Sequence, residues 1–441
     1  MVFRRFIFAA ALSFATTLAG AATDLVIATV DNDLMIEMQR QSRHFESANP
    51  DIKLQWVTLP EGVLRQRLTT DITTQGGQFD VMTIGLYETP IWGRRGWLKP
   101  LDPAADYEVG DLMPFIREGL SIDGRLYAAP FYGESSMLMY RRDLLTAAGL
   151  DMPNRPTWAH VRQLAQRLHD PARGVYGICL RGRPGWGDNM ALVTTMVNSY
   201  EGQWFDMAWR PRLDSEPWRQ ALAMYLDLLR NFGPPDPHTL SFNELQALFA
   251  AGHCAMWVDA TIGAAAITDP KRSVVSRKVG FAQAPSGTTS TGANWLWAWS
   301  LAVPATSRQP EAARRFVLWA TSKAYVQLVA RESGWGRVPT GTRQSTYASL
   351  NFLAASPAAA IELQALHSAN FKAPTRPPSP YNGIQFVAIP EFQGIGNAVG
   401  SLIASALQGR STLDEALVAG QEATVRAMAA KHAASPSSAV R

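Results

Sequence analysis

The side chains able to do chemistry sit just after short β-rich runs. Asp31 and Asn32 follow Leu25-Val-Ile-Ala-Thr-Val30, Tyr87 and Glu88 follow a run ending at Ile84, Trp186, Asp188 and Asn189 occupy a Gly-rich stretch, and Trp257 and Asp259 close another run. Carboxylates and amides exchange hydrogen bonds with hydroxyl groups, and aromatic faces cover small C–H patches. This mixture at loop positions therefore suits a ligand carrying many hydroxyls. Asp31 or Asn32 serves equally well as the N-cap of the helix that follows. Trp295, Trp297 and Trp299 fall on one face of an extended run, the usual pattern of a core stripe, so only Trp295, at the loop end beside Asn294, joins the candidates.

Catalytic alternatives are poorly supported. Glu88 and Glu134 are the carboxylates a glycosidase pair would use, although Glu134 suits a structural ion pair as well. Gly133-Glu-Ser-Ser-Met137 begins like a nucleophile elbow but has Met137 where the second glycine is required. There is no HExxH motif, no cysteine pair with metal-ligand spacing and no Walker sequence, and Gly394-Ile-Gly396 with Gly400 misses the dinucleotide spacing. The chain reads as a binder without catalytic residues, metal or cofactor, and any linked ATP hydrolysis falls to another polypeptide.

The elements that must position these residues alternate along the chain. Leu25–Val30 reads as a strand, a helical stretch runs to about Ala48, Ile52-Lys-Leu-Gln-Trp56 alternates as a half-buried strand should, Gly62–Thr74 reads as a helix and Phe79–Ile84 as the next strand. This is βαβ logic: it implies α/β architecture with a largely parallel sheet and a ligand crevice at the carboxyl ends of its strands. Gly233-Pro-Pro-Asp-Pro237 and Pro374–Gly383 read as loops. At 441 residues the chain exceeds what one core usually organises, so two domains are expected.

Arg4 and Arg5 precede an apolar run from Phe6 to Leu18, and Ala19-Gly20-Ala21 follows with small residues at a cleavage site, the pattern of a secretory leader cut near Ala21. The run is too short to span a membrane, and without a cysteine at the cut there is no handle for lipid attachment. Loss of the leader removes two arginines and no acid, so 41 basic against 37 acidic residues become 39 against 37, a net charge of +2. With no long basic run, nucleic acid and anionic lipid are not expected partners. Cys179 and Cys254 both lie in strand-like stretches that suit neighbours in one sheet; a disulfide and two buried free thiols both remain open.

Phe45–Pro60, with the text ANPDIKLQWVTLP, resembles the opening of the family 1 extracellular solute-binding proteins of the maltose-binding type. Further landmarks follow in that family's order: Gly96-Trp-Leu-Lys-Pro-Leu-Asp102, Asp123-Gly-Arg-Leu-Tyr-Ala-Ala-Pro130, Phe249-Ala-Ala-Gly-His-Cys-Ala-Met-Trp257 and Glu311–Ala320. Thr83–Trp92, Phe131–Ser136, Gly177–Gly182, Met256–Ala260, Asn294–Trp299 and Gln385–Gly394 resemble more narrowly its sorbitol- and mannitol-binding branch.

The resemblance implies a two-lobed periplasmic binding protein of type II, with a hinge and an interlobe cleft. Lobe 1 would comprise 22–133 and 290–335, lobe 2 would comprise 134–289 and 336–432, and 433–441 would be a tail. The chain would cross between lobes near Tyr132–Ser136, Ala284–Ala293 and Gly334–Thr342. Glu134 then lies in a hinge strand, and Trp335 and Arg337 join the candidate ligand contacts, although the text around Gly334-Trp-Gly-Arg337 departs from the branch's pattern. The implied function is capture of a polyol such as sorbitol, mannitol or arabitol, or of a related sugar, by a monomeric receptor. That receptor would serve the permease subunits of an ABC importer with a separate ATPase. A sensory receptor docking on a signalling ectodomain is a further alternative with the same fold, and a carbohydrate-active enzyme is a weaker one.

Overall fold

The computed structural model describes residues 22–434; the leader, Met1–Ala21, and the tail from 435 lie outside the described residues. Eleven strands are described: β1 (Thr23–Val30), β2 (Ile52–Leu59), β3 (Val81–Ile84), β4 (Leu98–Lys99), β5 (Ser121–Ile122), β6 (Arg125–Leu126), β7 (Ala128–Glu134), β8 (Ser136–Arg141), β9 (Met256–Ala260), β10 (Val279–Gln283) and β11 (Trp297–Pro304). They form two main sheets. The first has the order β2-β1-β3-β11-β4, with β7 also paired to β11, and the second has the order β10-β8-β9.

The βαβ expectation holds for the opening of the chain. β1 runs parallel to β2 from Thr23↔Ile52 to Val30↔Leu59, and parallel to β3 at Ile27↔Val81. The intervening helix spans Glu61–Thr74, starting one residue before the expected Gly62, with Pro60 as its N-cap. A largely parallel sheet is not what the remainder forms. β11 enters antiparallel to β3, β4 and β7, and the second sheet is antiparallel throughout. Hydrophobic periodicity reports which face of a strand is buried and carries no information on its direction, so strands returning from far along the chain were not distinguishable.

The chain passes from the first sheet to the second with only Ser135 between β7 and β8, and returns through 284–296 between β10 and β11. A third segment, 334–342, leaves the helix Lys323–Ser333 and runs beside β7. The three segments brace one another: Gly133 N–H donates to the Thr340 carbonyl (2.8 Å), Ser135 Oγ to the Trp295 carbonyl (2.7 Å) and Asn294 Nδ2 to the Ser136 carbonyl (2.6 Å). Gly341 has φ +75°, and a Cβ there would lie 2.1 Å from the Gly133 carbonyl oxygen. Only glycine satisfies both the left-handed backbone and this contact.

Beside the second sheet, Tyr176 and Cys179 bridge in parallel to Cys254 and Trp257, and Cys179 and Cys254 are disulfide-bonded with their Cα atoms 5.9 Å apart. Helices Trp158–Leu168, Asn189–Ser199, Glu216–Phe232, Phe392–Leu407 and Leu413–Ala434 pack on one another, while Phe242–Ala250 and Ala359–Ser368 pack on the second sheet. Asn189–Ser199 is buried along its entire length, which is why it reads as apolar all round rather than as a stripe. The segments 233–237 and 374–383 are loops, with only a short 3-10 turn beginning at Pro237. No described helix is long and apolar enough to cross a membrane.

Candidate functional site

Strand register assembles one wall of the cleft. In the β11–β7 pair, Trp297 lies opposite Glu134 and Trp299 opposite Tyr132, so two tryptophans, the carboxylate and the phenol share one sheet face. A bulge between Trp299 and Ser300 shifts the register to Pro130, whose missing N–H is tolerated on this edge strand. Gly85, just beyond β3, leaves room for Trp297: a Cβ there would meet the indole at 2.0 Å.

The opposite wall comes from loops around the second sheet. Arg181 is buried, with Nη2 2.6 Å from Asp259 Oδ1, Nε 3.0 and 3.1 Å from the two Asp259 oxygens and Nη1 donating to the Gly187 carbonyl at 2.9 Å. Burial works against the Arg181 charge, but the adjacent Asp259 carboxylate holds its pKa above the ordinary value. Ser241 donates to Asp188, and Arg183 Nη2 reaches Glu244 at 2.6 Å.

Between the walls lie two joined spaces. An inner recess of about 30 Å³ is lined by Glu61, Arg65, Glu134 and Arg181 and by Trp186, Trp295, Trp297 and Trp299, with Gln385 beside them. An outer compartment of about 380 Å³ continues past Asp31, Asn32, Tyr132, Arg183, Asp188 and Phe242. The Arg65 guanidinium closes the recess: it lies 4.1, 4.6 and 4.6 Å from the ring centroids of Trp186, Trp297 and Trp299, while Nη1 binds Glu88 (2.6 Å) and Nη2 binds Glu61 (2.8 Å). The indole N–H groups of Trp186, Trp295 and Trp297 are buried without a hydrogen-bond partner. The Glu134 carboxylate, 7% exposed, accepts no hydrogen bond among the described residues. Burial pushes its pKa up to about 8, the Glu61 and Asp259 carboxylates add to this, and Arg181 opposes it. Burial and the Glu61 carboxylate push Asp188 up to about 6.

A larger space of about 480 Å³ opens on the far side of Asn32, between Asp33–Glu37, Thr261–Arg272 and Gly336–Thr340. It contains Arg337, which pairs with Asp269 at 3.3 Å, and it lacks the tryptophans of the recess.

The expected residues divide accordingly. Asp31, Asn32, Glu134, Trp186, Asp188 and Trp295 line the two joined spaces, and Arg337 lines the larger one. Asn32 also keeps its capping role: Oδ1 accepts from Met35 N–H while Nδ2 donates to the Tyr132 hydroxyl. Six candidates do not line any of these three spaces. The Tyr87 ring packs on Trp186 (4.8 Å), and its hydroxyl donates to the Ile389 carbonyl. Glu88 is turned inward to Arg65 and the Gly85 N–H. Asn189 is fully buried and binds Gly185 N–H and the Gly400 carbonyl. Trp257 and Asp259, two residues apart on β9, share the face packed by Phe242–Ala250, so Trp257 joins Phe249 and Cys179 in a core while Asp259 is spent on Arg181. Trp335 is half-buried against the core beside the hinge.

Sequence reasoning missed Glu61, Arg65, Arg181, Trp297 and Trp299. Glu61 and Arg65 stand one helical turn apart directly after β2, a placement that was available as a signal. Of the tryptophan stripe only Trp295 was expected at the ligand and Trp297 and Trp299 were given to the core, but on a strand at the cleft the same face serves both.

The bacterial extracellular solute-binding protein model matches residues 20–327, more than half of the chain. The chain belongs to that family. These are binders rather than enzymes. A mannitol-binding protein of Pseudomonas aeruginosa is 51% identical over 412 residues, covering 93% of this chain and 94% of the relative. A solute-binding protein of an ABC transporter from Agrobacterium vitis S4, solved with bound D-mannitol, superposes with a TM-score of 0.92 at 51% identity, covering 94% of this chain and all of the other. At 20% identity, a maltose-bound binding protein from T. maritima shares the fold (TM-score 0.78, covering 92% of this chain and 100% of the other). The two-lobed maltose-binding-protein-like architecture follows.

Proposed function

We propose that this solute-binding protein captures an acyclic polyol of the mannitol or sorbitol type in the recess and outer compartment. The carrying observation is the complement the recess asks for: three buried indole N–H donors without acceptors beside one buried carboxylate without a donor. A hydroxyl group both accepts and donates, and the tryptophan faces suit the carbons between hydroxyls. The identity to a mannitol-binding relative over nearly the whole chain supports the same ligand class. The ligand contacts in this reading are Asn32, Glu61, Glu134, Arg181, Trp186, Asp188, Trp295, Trp297 and Trp299, with Asp31 at the rim.

The protein works in the periplasm as a monomer after cleavage near Ala21, and hands its ligand to the permease of an importer whose ATPase is a separate chain. In this reading the lobes comprise 22–133 with 290–335 and 134–289 with 336–432, and they hinge about 133–136, 284–296 and 334–342. Closure is favoured to the extent that the ligand binds the closed form better, because it touches both walls at once. Calorimetry of the mature protein against mannitol, sorbitol, arabitol and maltose tests this. At least one hexitol is expected to give a one-site isotherm; binding of maltose with every polyol silent refutes the ligand class.

A further inference from the structure

We propose that the outer compartment is built for a cationic group, so that this binding protein takes amino-polyols, acyclic polyhydroxy compounds with a primary ammonium at one end, in preference to neutral polyols. The inference rests on the polyol reading above and adds the charge of the ligand.

Five carboxylates, Asp31, Glu61, Glu134, Asp188 and Glu244, line that compartment against two guanidiniums, Arg181 and Arg183, and no lysine. Both guanidiniums are already answered by carboxylates: Arg181 by Asp259 from behind and Arg183 by Glu244. Glu61 is in turn answered by Arg65, and the carboxyl groups left without a cation are Asp31, Asp188 and Glu134, the last holding a proton at pH 7. Glu134 has no hydrogen-bond donor among the described residues although only 7% of it is exposed, Asp188 receives one hydroxyl, and the Asp31 side chain receives none. A neutral polyol offers hydroxyl donors and leaves this field in place, whereas an ammonium brings three donors and the missing charge. Among the described residues no three acidic, His or Cys side chains converge closely enough to hold a metal ion.

Orientation follows from the two spaces. Four tryptophans line the inner recess, whereas Asp31, Asp188 and Glu244 line the outer compartment alone, which places the hydroxylated chain inward and the ammonium outward. The groups facing Glu134 are Arg65, Arg181, Glu61 and Asp259, and those facing Asp188 are Glu61, Arg181, Arg183 and Ser241. The raised pKa of Glu134 agrees: a proton fills the place of the cation, and a bound ammonium would displace it.

The test compares sorbitol with 1-amino-1-deoxysorbitol, and mannitol with 1-amino-1-deoxymannitol, by calorimetry at pH 7, where alkylamines are still charged and Glu134 still holds its proton. Each amine is expected to bind about tenfold or more tighter than its neutral parent. Its heat should vary with the buffer's ionisation enthalpy as the Glu134 proton leaves. Glu134→Gln should weaken the amine about thirtyfold and erase the preference, and Asp188→Asn should reduce it; circular dichroism checks that both variants fold. Hexitols binding with the amines equal or weaker overturns the proposal and leaves the polyol reading standing. Maltose binding with all four compounds silent overturns both.

Discussion

Replacing Trp299 and Trp257 separately by alanine separates wall from core, and the structure predicts opposite signatures. Trp257 is fully buried among Phe242, Phe249 and the disulfide, so Trp257→Ala should cost about 3–5 kcal/mol of stability through the cavity it leaves. It should leave affinity within about threefold, because Arg181 keeps its contacts with Asp259 when the Trp257 Nε1 bond to Asp259 (3.1 Å) is lost, and bonds to a retained charged pair dominate over one neutral donor. Trp299 lines both joined spaces and lies under Arg65, which Trp186 and Trp297 continue to hold. Its truncation removes a central aromatic contact worth about 2 kcal/mol, or about thirtyfold in Kd, besides a loss of stability. Urea unfolding monitored without ligand gives the first quantity, and calorimetry on folded protein with mannitol gives the second. Should Trp257→Ala fold well and lose the ligand while Trp299→Ala binds normally, the assignment of the aromatic face is wrong.

The Arg65 contact joins a helix after β2 to Trp186 across the cleft; Arg65→Met is therefore expected to open the molecule, lowering affinity at least tenfold and raising the radius of gyration of the liganded protein in small-angle scattering. Glu134 and Glu362, with pKa values pushed up to about 8 and about 7 by burial, hold protons in the native state that the unfolded chain loses near pH 4.5. Native protein then binds more protons than unfolded protein between about pH 4.5 and 8. Ligand-free stability should fall as pH rises through this window, by at most about 1.4 kcal/mol per unit for each group, and level off above it; chemical unfolding from pH 5 to 9 checks this, with Glu134→Gln flattening the slope. The disulfide closes a sequence separation of 75 residues, so the double variant Cys179→Ala, Cys254→Ala should lose about 4 kcal/mol, measured as a lowered unfolding midpoint.

The sequence was most legible where local rules dominate. β1, β2 and the helix between β2 and β3 follow from alternation and breakers, and the expected neighbourhood of Cys179 and Cys254 follows from two short strand-like runs. The site was legible by residue type more than by residue. Asp188 and Trp295 reach the cleft, yet Glu88 and Asp259 stand one layer back, each holding an arginine, Arg65 and Arg181, that stands in front. A carboxylate and its arginine are equally polar in a sequence, and which of the two faces the ligand is decided by backbone direction at the strand end. The same limit applies to the tryptophans: β11 carries Trp297 and Trp299 at alternate positions and β9 carries Trp257, and only the layer packed on each face separates platform from core.

That layering explains how one polar residue set keeps its geometry at the base of a cleft. Arg65 is fixed by two carboxylates and three aromatic faces, and Arg181 by a buried carboxylate and a backbone carbonyl, so neither has rotamer freedom left to lose when a ligand arrives. Of the groups left without partners, Glu134, Trp295 and Trp297 sit where the chain crosses from one sheet to the other, and Trp186 sits in the loop before the helix Asn189–Ser199. A ligand that satisfies them therefore ties together segments of both lobes. The hydrogen bonds across the mouth of the cleft, Asn243 Nδ2 to the Asp31 carbonyl at 3.2 Å and Arg272 to Asp33 at 2.7 Å, are too exposed to hold the lobes together alone. Closure thus rests on the buried contacts of Arg65 and Tyr87 with Trp186 together with the buried unsatisfied groups, and it is through the latter that ligand binding, rather than surface charge, controls the shape presented to a transporter.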